Sequence, residues 1–323
     1  MASSIIFSLN AVLPLVILIL LGFCLKQEKL GLFAEPKAFF NQVDRLVFHV
    51  ALPVYIFNDL AEAKMEEIFD AKLVLYCVGG ILLSFLLLVF IVPLFIKQKA
   101  SRGAFIQGIY RSNFAILGVP LAGNLFEGVG SRTAALVLPF AVSLFNILAV
   151  VILSINAPSP EDAQSKGSVG KIALGVIKNP LIIAIIIAVP FMLFKITLPA
   201  LLQKSVNYVA SMSTPLALVS LGAGIDLRVL KSKARLAFAA SAIRTALSPL
   251  LFVIPAALLG FRDSALVVIF VLFAAPTAVS SFIMAKNMKS DYELAGQIVV
   301  LTTAICPVTV FLGSFILKSM GLI

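Results

Sequence analysis

The chain has 323 residues, of which 61% are hydrophobic and only 12% charged, and its mean hydropathy is +1.11. Soluble domains run at about 45–50% apolar and about 25% charged, so this composition excludes a soluble enzyme and, more firmly, a disordered or nucleic-acid-binding chain. A surplus of ten positive charges, 25 Lys and Arg against 15 Asp and Glu, then becomes a question of placement about a bilayer.

Apolar windows fall at residues 5–25, 40–60, 73–96, 104–126, 134–155, 172–194, 201–225, 236–259, 265–285 and 295–317. About 20 apolar residues cross a bilayer as a helix. None of these windows alternates with period two, and unpaired backbone groups are not tolerated in lipid, so they read as helices and not as barrel strands. The first window has no basic segment before it and no small-residue cleavage site, which marks it as a retained span. Cys24, Cys77 and Cys306 lie singly in apolar runs without metal-ligand spacing; they read as packing residues, and no metal or cofactor is expected.

With ten spans the loops alternate between two sides. One side collects 15 basic residues, among them Lys97, Lys99, Arg102, Lys166, Lys231, Lys233, Lys286 and Lys289; the other collects 7. The excess marks the cytoplasmic side, which places both termini outside or in the periplasm. Only Arg45, Arg111 and Arg244 remain inside spans.

The longest polar loop, 157–170, is cytoplasmic on this reading and divides the chain into residues 1–156 and 171–323. The halves echo each other. Pro14 and Pro180 are 166 residues apart, Pro53 and Pro215 are 162 apart, Pro93 and Pro255 are 162 apart, and Pro120 and Pro276 are 156 apart. Five spans per half is odd, so the second half enters the membrane from the opposite side. The expected fold is therefore an all-α polytopic membrane protein of ten helices in two inverted five-helix repeats, an arrangement of secondary transporters.

Spans four and nine carry the chemistry. Proline removes a helix hydrogen bond and clashes with the preceding turn. Gly118 beside Pro120, and Ser280 and Ser281 after Pro276, predict that both helices break near the midplane. Broken half-helices present N–H groups and a partial positive charge to an anion, or free carbonyls to a cation. The run Arg111-Ser112-Asn113-Phe-Ala-Ile-Leu-Gly118-Val-Pro120-Leu resembles the fourth-span signature of the auxin efflux carrier family, which includes plant auxin carriers and bacterial malonate and related organic-acid transporters. Lys178-Asn179-Pro180 resembles the start of that family's second half, and Ala275-Pro276-Thr-Ala-Val-Ser-Ser-Phe-Ile-Met-Ala285 resembles its ninth span. The resemblance covers essentially the whole chain. It implies crossing broken helices four and nine at the substrate site, with Asn113, Pro120 and Pro276 at the crossover, and it favours a homodimer.

A charge inside the bilayer costs at least a few kcal/mol, about 2.5–3.5 on insertion scales, unless paired or wetted. Arg111 and Arg244 are therefore candidates for holding a substrate carboxylate, which arginine meets with two parallel hydrogen bonds. Ser112, Thr277, Ser280 and Ser281 are polar neighbours of the breaks, and Asn146 in span five needs a partner in lipid. Asp44 is expected to pair with Arg111 or Arg244, while Asp44, His49 and Asp59 are the candidates for proton coupling.

The reading is a secondary transporter of a small organic anion, a mono- or dicarboxylate, in the plasma or bacterial inner membrane, working by alternating access. A sodium-coupled symporter of the related bile-acid-transporter fold would need several oxygen ligands, yet spans four, five, eight and nine hold no Asp or Glu. A non-transporting receptor would need an output domain that these residues do not supply. No HExxH, GxSxG or mid-membrane acidic pair suggests an enzyme.

Overall fold

A computed structural model of the protein describes residues 2–27, 32–62, 70–126, 129–157, 174–224 and 227–323. All but the first residue of the expected linker, 157–170, lies outside these. The described residues are helical, and the one β-type contact among them is an isolated antiparallel bridge between Ser112 and Thr277.

The helices fall largely on the apolar windows. Helix α1 spans Ala2–Leu25; α2 (Pro36–Leu46) and α3 (Leu52–Ala61) share the second window; α4 spans Ala71–Phe95. Helices α5 (Lys99–Tyr110) and α6 (Val119–Leu125) share the fourth, followed by α7 (Gly130–Ile155), α8 (Pro180–Leu193) and α9 (Ala200–Gly224). Helix α10 (Leu227–Ala242) starts nine residues before the eighth window, so that Lys231 and Lys233, expected in a loop, are helical. Helix α11 (Ser248–Leu258) completes that window, the ninth holds α12 (Asp263–Ala274) and α13 (Ser280–Asn287), and the tenth α14 (Tyr292–Ser319). Four stretches among the described residues are long and apolar enough to cross a membrane: Ala71–Phe95, Gly130–Ile155, Lys233–Leu258 and Tyr292–Ser319.

Helix α4 makes the solvent preference plain. It buries Leu73, Cys77, Ile81 and Phe85 but exposes Leu86, Phe90, Leu94 and Phe95, the last at 79%. A face this apolar suits lipid and not water. Asp70 starts the helix by accepting the Leu73 N–H at 2.9 Å, and Asp291 starts α14 by accepting that of Leu294 at 3.1 Å.

Packing sorts the helices into two bundles. Helices α1, α2–α3, α8 and α9 pack chiefly on one another; α4 to α7 pack with α10 to α14. Within the first bundle α1 and α9 meet backbone to backbone. A Cβ on Gly22 would sit 1.8 Å from the Val219 carbonyl oxygen, and one on Gly222 would sit 1.9 Å from that of Ile19. Glycine allows this close approach, as small residues do between membrane helices. We expect Gly222→Val to force the two helices apart and to destabilise the protein by about 3 kcal/mol, the upper end for an overpacked contact. Thermal unfolding of the purified protein in detergent checks this; an unchanged midpoint would contradict the packing.

Candidate functional site

The fourth and ninth windows are interrupted, and the interruptions lie against each other. Helix α5 ends at Tyr110, and Arg111 turns to extended backbone with φ −84° and ψ 108°. Helix α12 ends at Ala274, and Ala275 takes φ −59° and ψ 150°. The second break has a local cause, because a residue before proline is pushed out of the helical region, and Pro276 follows Ala275. The two extended segments run antiparallel. Asn113 N–H donates to the Pro276 carbonyl at 2.8 Å, and Ala278 N–H donates to that of Arg111 at 3.3 Å. Each break thus satisfies backbone groups that the other leaves free, as membrane depth requires. Thr277 ties the crossing further. Its hydroxyl donates to the Gly108 carbonyl at 2.6 Å, and its N–H donates to the Thr302 hydroxyl at 3.1 Å.

The first break is not at Gly118–Pro120, where proline chemistry placed it, but at Arg111–Asn113. Gly118 instead closes a wide π turn, Phe114–Gly118, and Pro120 sits in the first turn of α6. Two other π turns, Val47–Ala51 and Ile243–Leu247, have the same sequel: each ends two residues before a proline, Pro53 and Pro249. Widening the turn to i→i+5 bonding relieves the clash that the proline ring makes with the preceding carbonyl. At these prolines the helix therefore runs on through the π turn without a break.

Arg244 is fully buried on the π turn that precedes α11, and its guanidinium does not reach the cavity described below. Instead it gathers the crossing. Its Nε donates to Ala275 O at 2.8 Å, one terminal nitrogen to Leu272 O at 2.9 Å, and the other to Ile109 O at 3.1 Å and Tyr110 O at 3.4 Å. These are the last carbonyls of α12 and α5, the negative ends of two helix dipoles. One planar cation thus caps both interrupted helices, and the carbonyls neutralise a charge that lipid would reject.

Arg111 is the other buried guanidinium, 2% exposed. One terminal nitrogen donates to Asn146 Oδ1 at 2.7 Å; the other faces Met284 Sδ at 2.8 Å and Ser281 Oγ at 3.5 Å. Asn146 is fixed in turn by donating to Val142 O at 2.8 Å. Among the described residues no carboxylate forms an ion pair with Arg111. Its Nε, the Ser112 hydroxyl and the Asn113 amide nitrogen are buried without hydrogen-bond partners. Those three residues share a cavity of about 550 Å³ of space between atoms, counting its opening.

The cavity lies between the two bundles. Val47, Leu52 and Tyr55, with Ser213, Thr214 and Ala217 of α9, form one wall; Arg111–Asn113, Ala115, Ile116, Val142, Phe145 and Asn146, with Ala278–Ser280, form the other. Residues that begin both second half-helices, at Asn113 and at Val279–Ser280, therefore line it. Of the residues expected at a site, Arg111, Ser112, Asn113, Asn146 and Ser280 meet here. Gly118, Pro120, Pro276, Thr277 and Ser281 do not line the cavity, although Pro276, Thr277 and Ser281 bond to the segment that does or to the helix before it. Tyr55, Ser213 and Thr214 were not expected from the sequence; the polar run Ser211-Met-Ser213-Thr214 just before Pro215 in an apolar helix is the signal that marks them.

The acid and histidine candidates lie elsewhere. His49 is exposed on the outer face of its π turn, with Nδ1 3.0 Å from Arg45 O. Asp44 pairs with neither Arg111 nor Arg244 but with Lys286, and it accepts the Ser220 hydroxyl. Asp59 does not itself line the cavity; it lies one turn beyond Tyr55, which does line it and whose hydroxyl donates a hydrogen bond to the Asp59 carboxylate. Beside it, Gln203 donates to Asn58 at 2.8 Å and to Glu62 at 2.6 Å.

For Arg244 the expected outcome is structural. Lysine keeps the charge but cannot fork to four carbonyls, and each hydrogen bond to a charged group contributes about 1.5–3 kcal/mol. Arg244→Lys should therefore cost roughly 2–4 kcal/mol of stability with no ligand present, and Arg244→Ala more. Unfolding of the ligand-free protein in detergent measures this, and an Arg244→Lys variant as stable as the parent would contradict the capping role.

Comparison with known proteins agrees with this architecture. A model of the Membrane transport protein family matches residues 7–313. A protein of Rhizobium meliloti (strain 1021) named "Putative malonate transporter" is 26% identical over 307 residues, covering 93% of this chain and 92% of the relative. Uncharacterized transporters of Methanothermobacter thermautotrophicus and Methanocaldococcus jannaschii are 25% and 24% identical, each over 96% of this chain and 98% of the relative. The chain is an integral, multi-pass member of the Membrane transport protein family, the auxin efflux carrier-like transporters.

Proposed function

We propose that the protein is a secondary transporter that carries a small organic monoanion, a carboxylate with a compact apolar body, through the cavity at the helix crossing. The observation that carries the reading is Arg111, a residue of the cavity lining whose buried guanidinium has no carboxylate partner among the described residues and an Nε left without a hydrogen bond. Such a charge is costly at membrane depth, and a substrate carboxylate offsets it. The free Arg111 Nε, Ser112 hydroxyl and Asn113 amide supply three donors. The N–H groups that begin the second half-helices add a partial positive potential.

The charge count narrows the substrate. Arg244 does not line the cavity and its guanidinium is taken up by backbone carbonyls, so Arg111 is the one cationic residue of the lining among the described residues. Val47, Leu52, Val142, Phe145 and Ala217 make the rest of the lining largely apolar. This suits one carboxylate with an apolar body. A dicarboxylate such as malonate, the substrate in the name of the Rhizobium relative, fits better as its monoanion than as its dianion.

In the membrane the chain forms ten helices, as two inverted repeats in residues 1–156 and 171–323, with the linker 157–170 and most basic loop residues on the cytoplasmic side of the plasma or inner membrane. The spacing of the crossing supports the repeat. Ser112 and Thr277 are 165 residues apart, within the 162–166 range of the other related positions, whereas the 156 of Pro120 and Pro276 relates two prolines with different local roles. Alternating access follows from a cavity between two bundles: one bundle shifts against the other and turns the site from one face to the other. Transport, not catalysis, is the activity this arrangement serves.

In liposomes, the purified protein should take up labelled monocarboxylates. Asn113→Ala should abolish uptake, Arg111→Gln should reduce it at least tenfold, and Arg111→Lys should keep part of it. Normal transport by the Asn113 variant would show that the site is misplaced. Competition by malonate should strengthen as pH falls, because protonation removes one of its two charges; competition that weakens as pH falls would contradict the single-charge site.

A further inference from the structure

Asp44 is a carboxylate with 2% of its side chain exposed, and the proposed transport route does not use it. Its partners come from both bundles. Ser220 of α9, in its own bundle, donates a hydroxyl hydrogen bond to one carboxylate oxygen; Lys286 of α13, in the other bundle, forms an ion pair with the second. The next residues of α13 continue the contact. Asn287 Nδ2 donates to the Asp44 carbonyl at 3.3 Å, and Asn179 at the start of α8 reaches Met288 Sδ at 3.9 Å. Three polar links between the bundles thus arise from one stretch, Lys286–Met288.

That stretch is at one end of the cavity. Val47, one turn after Asp44, lines the cavity, as does Ser280 at the other end of the helix that carries Lys286. Resting on the reading of the chain as an alternating-access transporter, we infer that the Asp44–Lys286 pair is a latch that holds the two bundles together on the basic, cytoplasmic side of the cavity and must open once per transport cycle. Each charge has a partner to keep when the latch parts. Asp44 retains the Ser220 hydroxyl, and the Lys286 ammonium lies 5.7 Å and 5.5 Å from the centroids of the Phe282 and Tyr292 rings of its own bundle. A buried ion pair without such fallbacks would strand two charges on opening; these two are held by an oxygen donor and by aromatic faces.

The test reads access to the cavity and needs no substrate. Thr214 lines the cavity, so Thr214→Cys, in full-length protein with the exposed Cys24 replaced by serine, reports entry of a membrane-impermeant maleimide from the Lys286 side of proteoliposomes. Labelling from that side should be slow in this parent, several-fold faster with Lys286→Met, and slow again with Lys286→Arg, which keeps the ion pair. Asp44→Asn should act like Lys286→Met, and the double variant should label no faster than either one, because both remove the same interaction. Parental labelling in a folded Lys286→Met protein, or single effects that add, would overturn the latch; if Asp44→Asn does not fold, the comparison of Met with Arg at 286 decides alone. Liposomes of the unaltered protein that show no organic-anion uptake while labelling responds would overturn the transport reading and leave the Asp44–Lys286 pair as a contact that closes the cavity without a transport cycle. Uptake with unresponsive labelling would overturn the latch alone.

Discussion

Everything at the centre of this protein depends on one constraint: a backbone that leaves the helix inside a membrane must find partners for every N–H and C=O it frees. Two helices are interrupted, and each answers the other. The bonds Asn113–Pro276 and Ala278–Arg111 form a two-rung antiparallel contact, and the carbonyls left at the ends of α5 and α12 converge on Arg244. Interrupted helices at membrane depth are tolerated where the freed groups are buried in protein or line a cavity. Here the carbonyl ends are buried, and the beginnings of the next half-helices line the cavity.

The same arrangement gives two similar side chains opposite duties. Both guanidiniums are buried and neither has a carboxylate partner among the described residues. Arg244 is compensated by the negative ends of two helix dipoles and becomes part of the frame. Arg111 sits where one of those helices stops and faces the start of the following ones, where the potential is positive. Its compensation is incomplete, and a mobile anion is the natural remedy. On the proposed reading, the bracing of the crossing by Arg244 and the holding of an anion by Arg111 take place at the same pair of interrupted helices.

Much of this was legible in the sequence because bilayer insertion writes long apolar runs and sorts basic residues into loops. The helices fall largely on the apolar windows; the cost of polar groups in lipid singles out Arg111 and Asn146, whereas Asn113 is marked by the resemblance of its motif and not by physics alone. Less legible was the location of the first break. Proline signals a missing hydrogen bond, but a π turn absorbs it at Pro53, Pro120 and Pro249, and only Pro276 lies within an interruption. Arg244 looked like a second anion site because a sequence lists its donors and not the carbonyls around them. Asp44 was read against arginines, whereas its partner, Lys286, belongs to a stretch counted only as loop charge. Long-range pairing of this kind depends on how bundles dock, which local pattern does not encode.

On the proposed reading a carboxylate binds Arg111 between the two bundles, with its apolar body against Phe145 and Ala217. The most direct measurement is a crystal structure of the protein with a bromine-substituted monocarboxylate, read by anomalous scattering. A bromine peak is expected inside the cavity, with carboxylate density within hydrogen-bond reach of Arg111 and Asn113. A ligand that binds the protein but gives its peak elsewhere, with the cavity empty, would contradict this reading.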